Sequence, residues 1–555
     1  MATPPGLSAT DITSGVSPKL AVRLIFFGRP SRALILPSRR HAAPRLFALC
    51  ALFVLFSGCT PLPALDARIP SSALTDTGDT RLGSAISPLA AAHPGLSGVY
   101  PLQDALEAFA ARVLLARGAE RSLDVQYYIW RQDLTGTLLF RELEHAAARG
   151  VRVRLLLDDN NTAGLDPLLA ALDAHPRIEV RLFNPFRLRK PRLLGYLTDF
   201  ARLNRRMHNK SFTADNQATI IGGRNIGDEY FGAGDGVLFS DLDVLAAGPA
   251  ANEVSADFDR YWNSASASPV ASLLPPASPR AMAALPARAE QVEQDDAAAA
   301  YMAAIRDTPI IRSLEAGRLA MEWVPVRMVS DDPAKGLGRA APESLIGEKL
   351  KQAIGDPESE LLLVSPYFVP TATGVEVLTE MARQGVQLKV LTNALEATDV
   401  AAVHAGYAKR RKALLQAGIT LYETRRLPSP DPEVDKKGPR FGSGASASSL
   451  HAKTFSVDRS RIFIGSFNFD PRSARLNTEM GFVIESPALA GRIAEAFGEI
   501  IPQNAYEVRL SGSGSLYWIE RQGSQALRHD TEPGTRWWQR AGVFLLSLLP
   551  IEWLL

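Results

Sequence analysis

Cysteine is nearly absent from this chain of 555 residues. The two cysteines, Cys50 and Cys59, fall in one N-terminal stretch, so the rest of the chain can form neither a disulfide nor a thiolate metal site. Histidine is also scarce, with eight in the whole chain. Histidines that recur in matching surroundings therefore carry information.

An excess of one charge is missing too, because the net charge is only +2. A protein that binds nucleic acid without sequence preference usually has a larger basic excess, so we do not expect a nucleic-acid partner, although a local groove can still be basic. The composition, 46% hydrophobic and 22% charged, is typical of globular proteins and argues against disorder. The length predicts two or more domains.

The apolar run at 46–56 is too short to span a bilayer. Arg39, Arg40 and Arg45 precede it and Ser57-Gly58-Cys59 follows, which is the pattern of an export signal. Small residues before a cysteine resemble a lipoprotein processing box. We therefore expect an exported, membrane-associated protein anchored through Cys59 in the cell envelope; an uncleaved N-terminal anchor is the alternative.

One order of strands and helices occurs twice. Strands predicted at 123–130, 151–157 and 178–183 alternate with helices at 135–150 and 166–175. The same order returns with strands at 361–368, 386–391 and 419–422 and helices at 373–385 and 399–418. Such alternation predicts an α/β fold built from two similar α/β domains. The divisions that we predict are a leader (1–59), a linker (60–97), the first domain (98–263), an Ala/Pro/Ser-rich linker (264–320), the second domain (321–510) and a C-terminal tail with an apolar helix (511–555).

Each half also contains one copy of a motif. In the first copy His208-Asn-Lys210 is followed by Asp215 and then by Gly222-Gly223-Arg224-Asn225. The second copy, 243 residues later, has His451-Ala-Lys453, Asp458 and Gly465-Ser466-Phe467-Asn468. Two complete copies in register are not expected by chance.

The spacing places several polar groups around one point. His-x-Lys on an extended segment directs both side chains to one face, and a hairpin that turns at the aspartate returns the Gly-x-x-Asn segment beside it. Glycine permits close approach to a ligand, and the amides of Asn225 and Asn468 can donate to an oxygen. Each copy thus offers an imidazole, an ammonium and an amide around a space the size of a phosphate.

Two copies brought face to face suit phosphodiester chemistry. One neutral histidine attacks phosphorus and the other protonates the leaving oxygen, while the lysines neutralise charge as Mg²⁺ does elsewhere. We therefore expect no metal and no cofactor. A carboxylate on the far ring nitrogen would fix each tautomer, and the candidates are Glu479 and Asp243.

The doubled motif resembles the phospholipase D superfamily, from about residue 100 to the C-terminus. The stretches 222–231, 465–482 and 532–555 are similar, more narrowly, to bacterial cardiolipin synthases of the C type. The resemblance implies two domains related by a pseudo-two-fold with one shared active site. It makes His208 the nucleophile and His451 the general acid, and it gives Asp215 and Asp458 local structural hydrogen bonds within the motif.

Further side chains are candidates for a lipid or headgroup pocket. They are the aromatic residues at predicted strand ends and two residues of a helix that also occurs in the resembling synthases, namely Tyr127, Tyr128, Tyr367, His404 and Tyr407. A strand-end aromatic residue is also typical of a core. In the tail, Thr535 is predicted to cap a helix at 536–549 that either lies in the headgroup plane or docks on the core.

Several activities remain open from the sequence. Phosphatidyl transfer to a glycerol-type alcohol, giving cardiolipin, is the first hypothesis. Its expected substrates at a membrane surface are phosphatidylglycerol and, as a candidate second lipid, phosphatidylethanolamine. Hydrolysis to phosphatidic acid, a metal-independent phosphodiesterase or nuclease, and a lipid-binding protein without catalysis are the alternatives. An accessory protein partner remains unspecified.

Overall fold

A computed structural model describes residues 68–233, 238–315, 319–426 and 448–555. The predicted export signal and Cys59 lie outside these residues. The strands of the first half are β1 (Ser97–Leu102), β2 (Ser122–Tyr127), β3 (Arg152–Asp158), β4 (Ile178–Phe183), β5 (Ser211–Ala214), β6 (Ala218–Gly222), β7 (Leu238–Ser240), β8 (Asp243–Ala247), β9 (Ala267–Pro269) and β10 (Glu322–Val324). Those of the second half are β11 (Val326–Ser330), β12 (Glu360–Val364), β13 (Gln387–Asn393), β14 (Thr420–Thr424), β15 (Ser448–Leu450), β16 (Thr454–Val457), β17 (Arg461–Gly465), β18 (Met480–Ile484), β19 (Ala505–Leu510), β20 (Leu516–Gln522) and β21 (Gln525–His529).

Helices cover the sheets. Those up to residue 315 are α1 (Arg81–Ala92), α2 (Ala105–Gly118), α3 (Leu134–Ala148), α4 (Asp166–Asp173), α5 (Gly195–Leu203), α6 (Asp228–Phe231), α7 (Pro249–Trp262), α8 (Val270–Leu273), α9 (Pro279–Glu293), α10 (Asp296–Arg306) and α11 (Pro309–Glu315). Those that follow are α12 (Ile346–Ile354), α13 (Thr371–Arg383), α14 (Ala401–Ala408), α15 (Arg411–Gln416), α16 (Pro471–Arg475), α17 (Pro487–Glu495), α18 (Ile501–Asn504) and α19 (Trp537–Ser547).

The two large sheets repeat one strand order, which confirms the predicted pair of α/β domains. The first sheet runs β10-β1-β8-β6-β5-β2-β3-β4-β9, and the second runs β11-β18-β17-β16-β12-β13-β14-β19-β20-β21. The order β1-β8-β6-β5-β2-β3-β4 in one sheet thus corresponds to β11-β18-β17-β16-β12-β13-β14 in the other. In each sheet three parallel strands adjoin an antiparallel hairpin, which is β5–β6 or β16–β17.

Both hairpins turn in the same way. Asp215 and Asn216 in the first turn, and Asp458 and Arg459 in the second, have φ between 50° and 54°. Aspartate and asparagine tolerate this left-handed conformation better than most residues, because their short side chains bond locally. The hairpins predicted from the motif are therefore present in both halves.

The halves share a core where β6 and β8 face β17 and β18. Ile221, Val244 and Ala246 of the first half pack with Ile464 and Phe482 of the second in one buried cluster. Close packing of apolar side chains from both halves fixes the edges of the two sheets against each other. The N-terminal ends of the two hairpins consequently meet.

The segments expected to be linkers contain packed helices. In 264–320, α9 and α10 lie against helices of the first domain, and Leu285, Tyr301 and Ile305 are buried in its core. Alanine, which dominates this stretch, has the highest helix propensity, so an alanine-rich segment becomes helical once one face can pack. Within 60–97, the helix α1 is likewise ordered.

The C-terminal tail continues the second sheet through β20 and β21 and ends with α19. Its helix begins after Arg536, whereas Thr535 Oγ1 donates to the carbonyl of Glu532 and is not the cap. Among the described residues, no helix has the length and apolar character needed to cross a bilayer.

Candidate active site

The two motif histidines are each held by a carboxylate from the opposite half. His208 Nδ1 lies 2.8 Å from Glu479 Oε2, and His451 Nδ1 lies 2.5 Å from Asp241 Oδ2. Both carboxylates are fully buried. This reciprocal exchange joins the two motif copies into one site, as a pseudo-two-fold requires.

The carboxylates also set the tautomer of each ring. When Nδ1–H of a neutral imidazole donates to a carboxylate, the lone pair is on Nε2. Burial, and next the ammonium groups of Lys210 and Lys453, keep the pKa of His208 well below its usual value. Burial and Lys453 likewise lower the pKa of His451 to about 4. Both rings are therefore neutral at pH 7 in the free protein.

The two lysines lie beside these histidines. Lys210 Nζ donates to the His208 carbonyl at 2.5 Å, and Lys453 Nζ donates to the His451 carbonyl and lies 2.9 Å from His451 Nδ1. Burial lowers the pKa of Lys210 to about 7 and that of Lys453 to about 8. Two ammonium groups this poorly solvated attract an anion strongly, and a phosphodiester between them would restore their positive charge.

The two orienting carboxylates have opposite electrostatics. Burial raises the pKa of Glu479 to about 7, against the attraction of Lys210 and a 2.5 Å hydrogen bond from Ser466 Oγ. Burial acts on Asp241 as well, but His451, Lys453 and Arg224 outweigh it and hold its pKa below the usual range. At pH 7 Asp241 is thus fully ionised, whereas Glu479 is protonated in a large part of the molecules.

Asp241 replaces Asp243 as the partner of a histidine, so the prediction of Asp243 was wrong. In the strand pairing, Gly222 lies opposite Asp243 and Gly465 lies opposite Gly481, so the counterpart of Glu479 is Asp241. Asp243 instead forms a buried ion pair with Arg112 at 2.7 Å. A shift of two residues keeps the same face of an extended chain, and sequence periodicity therefore could not distinguish the two aspartates.

Comparison with known proteins agrees with this geometry. A family model described as "Cardiolipin synthase, PLD-like domain" matches residues 115–262 and 350–501. The chain is also 51% identical over 477 residues to cardiolipin synthase C of Escherichia coli (strain K12), which covers 86% of this chain and 100% of that protein. The chain belongs to this phospholipase D-like family.

Two more distant matches show how far the similarity extends. A cardiolipin synthase of Staphylococcus aureus (strain Mu50 / ATCC 700699) is 24% identical over 418 residues, 75% of this chain and 70% of that protein. The crystal structure of phosphatidylserine synthase from Haemophilus influenzae Rd KW20 matches with a TM-score of 0.53 at 14% identity, over 82% of this chain and 95% of that one. That structure shows the shared fold.

The sequence grouped the two motif aspartates with the catalytic residues, but in this protein both make structural hydrogen bonds. Asp215 accepts the backbone N–H groups of Glu120, Arg121 and Ser122 at 2.8–2.9 Å. Asp458 accepts those of residues 358–360 at 2.8–3.2 Å. Each aspartate ties its hairpin turn to the start of the neighbouring parallel strand, as the resemblance implied.

The motif asparagines differ from each other. Asn225 Oδ1 accepts the Ile129 amide at 3.1 Å, and its Nδ2 donates to Tyr230 Oη at 2.9 Å. One of its two amide N–H donors thereby supports a tyrosine. Asn468 is buried, and its Oδ1 has no protein partner among the described residues, so it remains a candidate for a ligand contact.

Aromatic rings stand against both histidines. Tyr128 packs edge-on against His208 at 5.0 Å between ring centroids, and Tyr230 packs against His451 at 5.2 Å. Lys210 Nζ also lies 5.6 Å from the Tyr128 ring. Tyr128 was predicted, but Tyr230 was not, although its position five residues after Asn225 in the first motif copy was a usable signal.

Tyr367 lies on the same side of the site. Its hydroxyl donates to Asp399 Oδ2 at 2.7 Å. Burial raises the pKa of Tyr367, and Asp399, Tyr230 and Tyr128 are close enough to raise it further. Asp399 in turn acts on Lys453, so a half-buried carboxylate that the sequence did not indicate lies near this motif lysine.

Three of the predicted pocket residues belong to the core instead. The Tyr127 hydroxyl accepts from Arg112 Nε at 2.9 Å, because strand alternation turns Tyr127 away from the face that Tyr128 occupies. His404 Nε2 lies 3.0 Å from Glu532, and the Tyr407 hydroxyl donates to Glu423 at 3.1 Å. Both side chains are buried within a network that fastens the C-terminal tail, so their assignment to a headgroup pocket was wrong.

Proposed function

We propose that this protein is a cardiolipin synthase, which transfers a phosphatidyl group from one phospholipid to the glycerol hydroxyl of another. The reciprocal pairing of two neutral histidines with two carboxylates, beside two lysines, is the observation that carries the proposal. Such a site needs a phosphodiester substrate, and the name of the relative from Escherichia coli, which matches along its whole length, supports a phospholipid.

In the first step His208 Nε2 attacks phosphorus and a P–N bond forms. The bond between phosphorus and the headgroup oxygen breaks, and His451 gives its proton to that oxygen. In the free protein His451 is neutral, with its pKa lowered to about 4 by burial and Lys453. The bound phosphate anion offsets the two lysines, and this raises the pKa of His451 so that it can enter the step protonated.

In the second step the acceptor hydroxyl attacks the phosphatidyl–histidine. Its proton passes to His451, the P–N bond breaks, and His208 is restored. The roles of the histidines follow from their carboxylates: the ionised Asp241 stabilises an imidazolium at His451, whereas the more weakly ionised Glu479 leaves His208 as the neutral nucleophile. The lysines neutralise the non-bridging oxygens throughout.

Transfer in place of hydrolysis requires that the acceptor be held in line. Orientation can contribute roughly 7–11 kcal/mol in such steps, enough to favour a bound alcohol over abundant water. Asp399, held by Tyr367 near Lys453, is placed to accept a hydrogen bond from a glycerol hydroxyl. Asp399→Asn and Tyr367→Phe should therefore raise the ratio of phosphatidic acid to cardiolipin severalfold, while Tyr407→Phe, a buried tyrosine of the core, should leave that ratio unchanged.

Product analysis tests the proposal. Purified protein is given phosphatidylglycerol, phosphatidylethanolamine or both in detergent micelles, with EDTA present, and products are measured by mass spectrometry against His208→Ala. We expect cardiolipin from mixtures that contain phosphatidylglycerol, and activity that survives EDTA. Phosphatidic acid alone at saturating acceptor would make the protein a hydrolase, and cleavage of DNA or RNA with no lipid product would make it a nuclease.

The anchor at Cys59 is part of the same proposal. An enzyme that acts on phospholipids gains from attachment to the envelope membrane, and the 46–59 stretch has the pattern of a lipoprotein signal. One lipid anchor binds only marginally, so a second contact is required for stable association. Radioactive palmitate should label the wild-type protein in cells but not Cys59→Ser, and equal labelling of both would contradict the anchor.

A further inference from the structure

Exposed large apolar side chains are concentrated in two segments of the molecule. Among the described residues, twelve of the nineteen such side chains lie in 188–200 and 537–553. The first segment holds Leu188, Leu193, Leu194, Leu197 and Phe200, and the second holds Trp537, Trp538, Phe544, Leu545, Leu548, Leu549 and Trp553. Isolated exposed apolar residues are common, but such concentration indicates a binding surface.

In both segments the helix is fixed by its inner face and presents apolar side chains outward. In α5, Tyr196 donates to Asn160 Oδ1 at 2.8 Å and Leu203 is buried, whereas Leu197 is 73% exposed and Leu193, in the turn just before the helix, is 78% exposed. In α19, Val543 is buried against α14, whereas Trp537 is 74% exposed. The outward apolar side chains therefore do not stabilise the fold, and their exposure indicates contact with another molecule.

One arginine links the residues that follow each segment. Arg472 donates to Asn204, directly after α5, with Nη2 2.6 Å from its Oδ1, and Arg472 Nε donates to the carbonyl of Leu554 at 3.0 Å. The Arg472 amide also donates to the carbonyl of Leu555 at 2.7 Å. The end of α5 and the C-terminus of the chain are thus neighbours, and we call residues 188–200 and 537–553 together the apolar rim.

The apolar rim lies next to the active site. Only four residues separate Leu203, the end of α5, from His208, whose amide donates to the carbonyl of Thr478 at 2.9 Å. Positive charge accompanies the apolar side chains, since Arg187, Lys190 and Arg536 are exposed at the ends of the two segments. Segment 187–206 has seven basic residues, but Arg189, Arg192, Arg202 and Arg206 pair closely with aspartates. The exposed positive charge of this segment is therefore that of Lys190 and of Arg187, which lies 3.8 Å from Asp199.

We infer that the apolar rim is a docking surface for a bilayer that contains anionic phospholipids, and that it holds the active-site entrance against the headgroups. This inference rests on the proposed function, because only a membrane substrate requires such an entrance. Aromatic and leucine side chains insert at the headgroup–acyl boundary, and basic residues near an anionic surface strengthen the attachment. A second copy of the chain would not need the exposed arginines and lysine.

Labelling tests the docking surface separately from catalysis. In the full chain with Cys50 and Cys59 changed to serine, an environment-sensitive fluorophore is attached at Leu197→Cys, Leu545→Cys or Leu89→Cys. Leu89 is 48% exposed on α1, which lies at the Asp215 end of the sheet, where Arg81 binds Glu120. It is therefore a matched control remote from His208.

We expect vesicles of phosphatidylcholine with phosphatidylglycerol to shift the emission to shorter wavelength at positions 197 and 545 but not at 89, with a smaller shift for phosphatidylcholine alone. Equal behaviour at all three positions would overturn the docking surface. A shift at 197 that appears without vesicles as protein concentration rises would assign the rim to a second copy and overturn it as well.

Activity gives an independent readout. Leu193→Glu with Leu197→Glu should lower transfer on phosphatidylglycerol vesicles at least tenfold, while transfer on a monomeric short-chain phosphatidylglycerol stays within twofold of the wild type; Leu89→Glu should change neither. Equal loss on both substrates would contradict the docking role. If wild type transferred neither substrate, the proposed function would fail, whereas the labelling result would still decide whether the rim meets a bilayer.

Discussion

The two copies of the motif share spacing and strand order but differ in the residues around their histidines. The first copy supplies Gly223 and Asp241, and the second supplies Ser466 and Glu479. Because each carboxylate serves the histidine of the other copy, the difference gives His451 an ionised partner and His208 a weakly ionised one. In the proposed mechanism, this difference in a few side chains of an otherwise symmetric site separates the roles of nucleophile and acid.

Removing either histidine should have the largest effect. His208→Ala and His451→Ala should each lower turnover of phosphatidylglycerol by about 10⁴-fold or more, because each loss abolishes one essential proton or phosphoryl transfer. The two variants should separate on a phosphatidyl substrate with a nitrophenol headgroup, which leaves without protonation. With this substrate, His451→Ala should release a burst of nitrophenol because His208 can still attack phosphorus. His208→Ala should release none.

A burst from His208→Ala and none from His451→Ala would reverse the assigned roles. Lys351→Ala, an exposed residue of α12 outside the motifs and the apolar rim, serves as the control for preparation and handling. Unchanged thermal unfolding of both histidine variants would show that the losses come from chemistry.

Exchanging the carboxylates for amides should distinguish the copies more finely. Asp241→Asn should lower turnover about 10³-fold and Glu479→Gln only about tenfold, within the range for residues that orient a catalytic histidine. Glu479, with its pKa raised to about 7 by burial, is already protonated in a large part of the molecules, so an amide is a smaller change there. If kcat at pH 7 fell equally in Asp241→Asn and Glu479→Gln, the proposed difference in ionisation between the two carboxylates would be contradicted.

The two motif copies differ in having Gly223 or Ser466 at the matching position. Introducing serine in the first copy should lower turnover more than introducing glycine in the second. A Cβ at Gly223 would lie 2.1 Å from Asp241 Oδ1, so Gly223→Ser should displace that carboxylate and lower turnover about 10²-fold. Ser466→Gly removes one hydrogen bond to Glu479 and should cost about tenfold. Steady-state rates on micelles check both, and tolerance of serine at 223 would show that Asp241 can move without loss.

The motif aspartates should affect stability and hardly affect turnover per folded molecule. Asp215→Ala should lower the free energy of unfolding by about 3 kcal/mol, because one buried and two partly buried backbone amides lose their acceptor. Asp458→Ala should lower the free energy of unfolding by only about 1 kcal/mol, because the Asp458 side chain is 15% exposed and water can replace it as the acceptor. Urea denaturation measures both, and a large fall in turnover of folded Asp215→Ala would indicate a catalytic role instead.

Much of this site could be predicted from the repeated motif, because identical spacing in two copies specifies both the hairpin and the residues it brings together. His208, Lys210, His451 and Lys453 follow from that pattern, and so does the duplicated fold. Asp241 could not be separated from Asp243, because the two share one strand face and only the pairing of Gly222 fixes the register.

Other features depended on packing between distant segments, which local pattern does not encode. His404 is buried against Glu532 of the tail, 128 residues away, so it does not line the predicted headgroup pocket. The alanine-rich stretch before residue 300 resembles a linker by composition, yet Leu285 and Tyr301 give its helices a buried face. Arg472 bonds to Asn204, 268 residues earlier, and to Leu554, so the apolar rim has no continuous sequence signature.

In the proposed mechanism, His208 carries the phosphatidyl group while His451 moves the proton. To test this assignment, His451→Ala is reacted with the nitrophenol substrate and quenched within the burst under denaturing alkaline conditions. The adduct is then mapped by mass spectrometry. We predict one phosphatidyl group on the peptide that contains His208, and none in His208→Ala treated in the same way. An adduct on His451 in His208→Ala, or a burst with no adduct on His208, would contradict the claim.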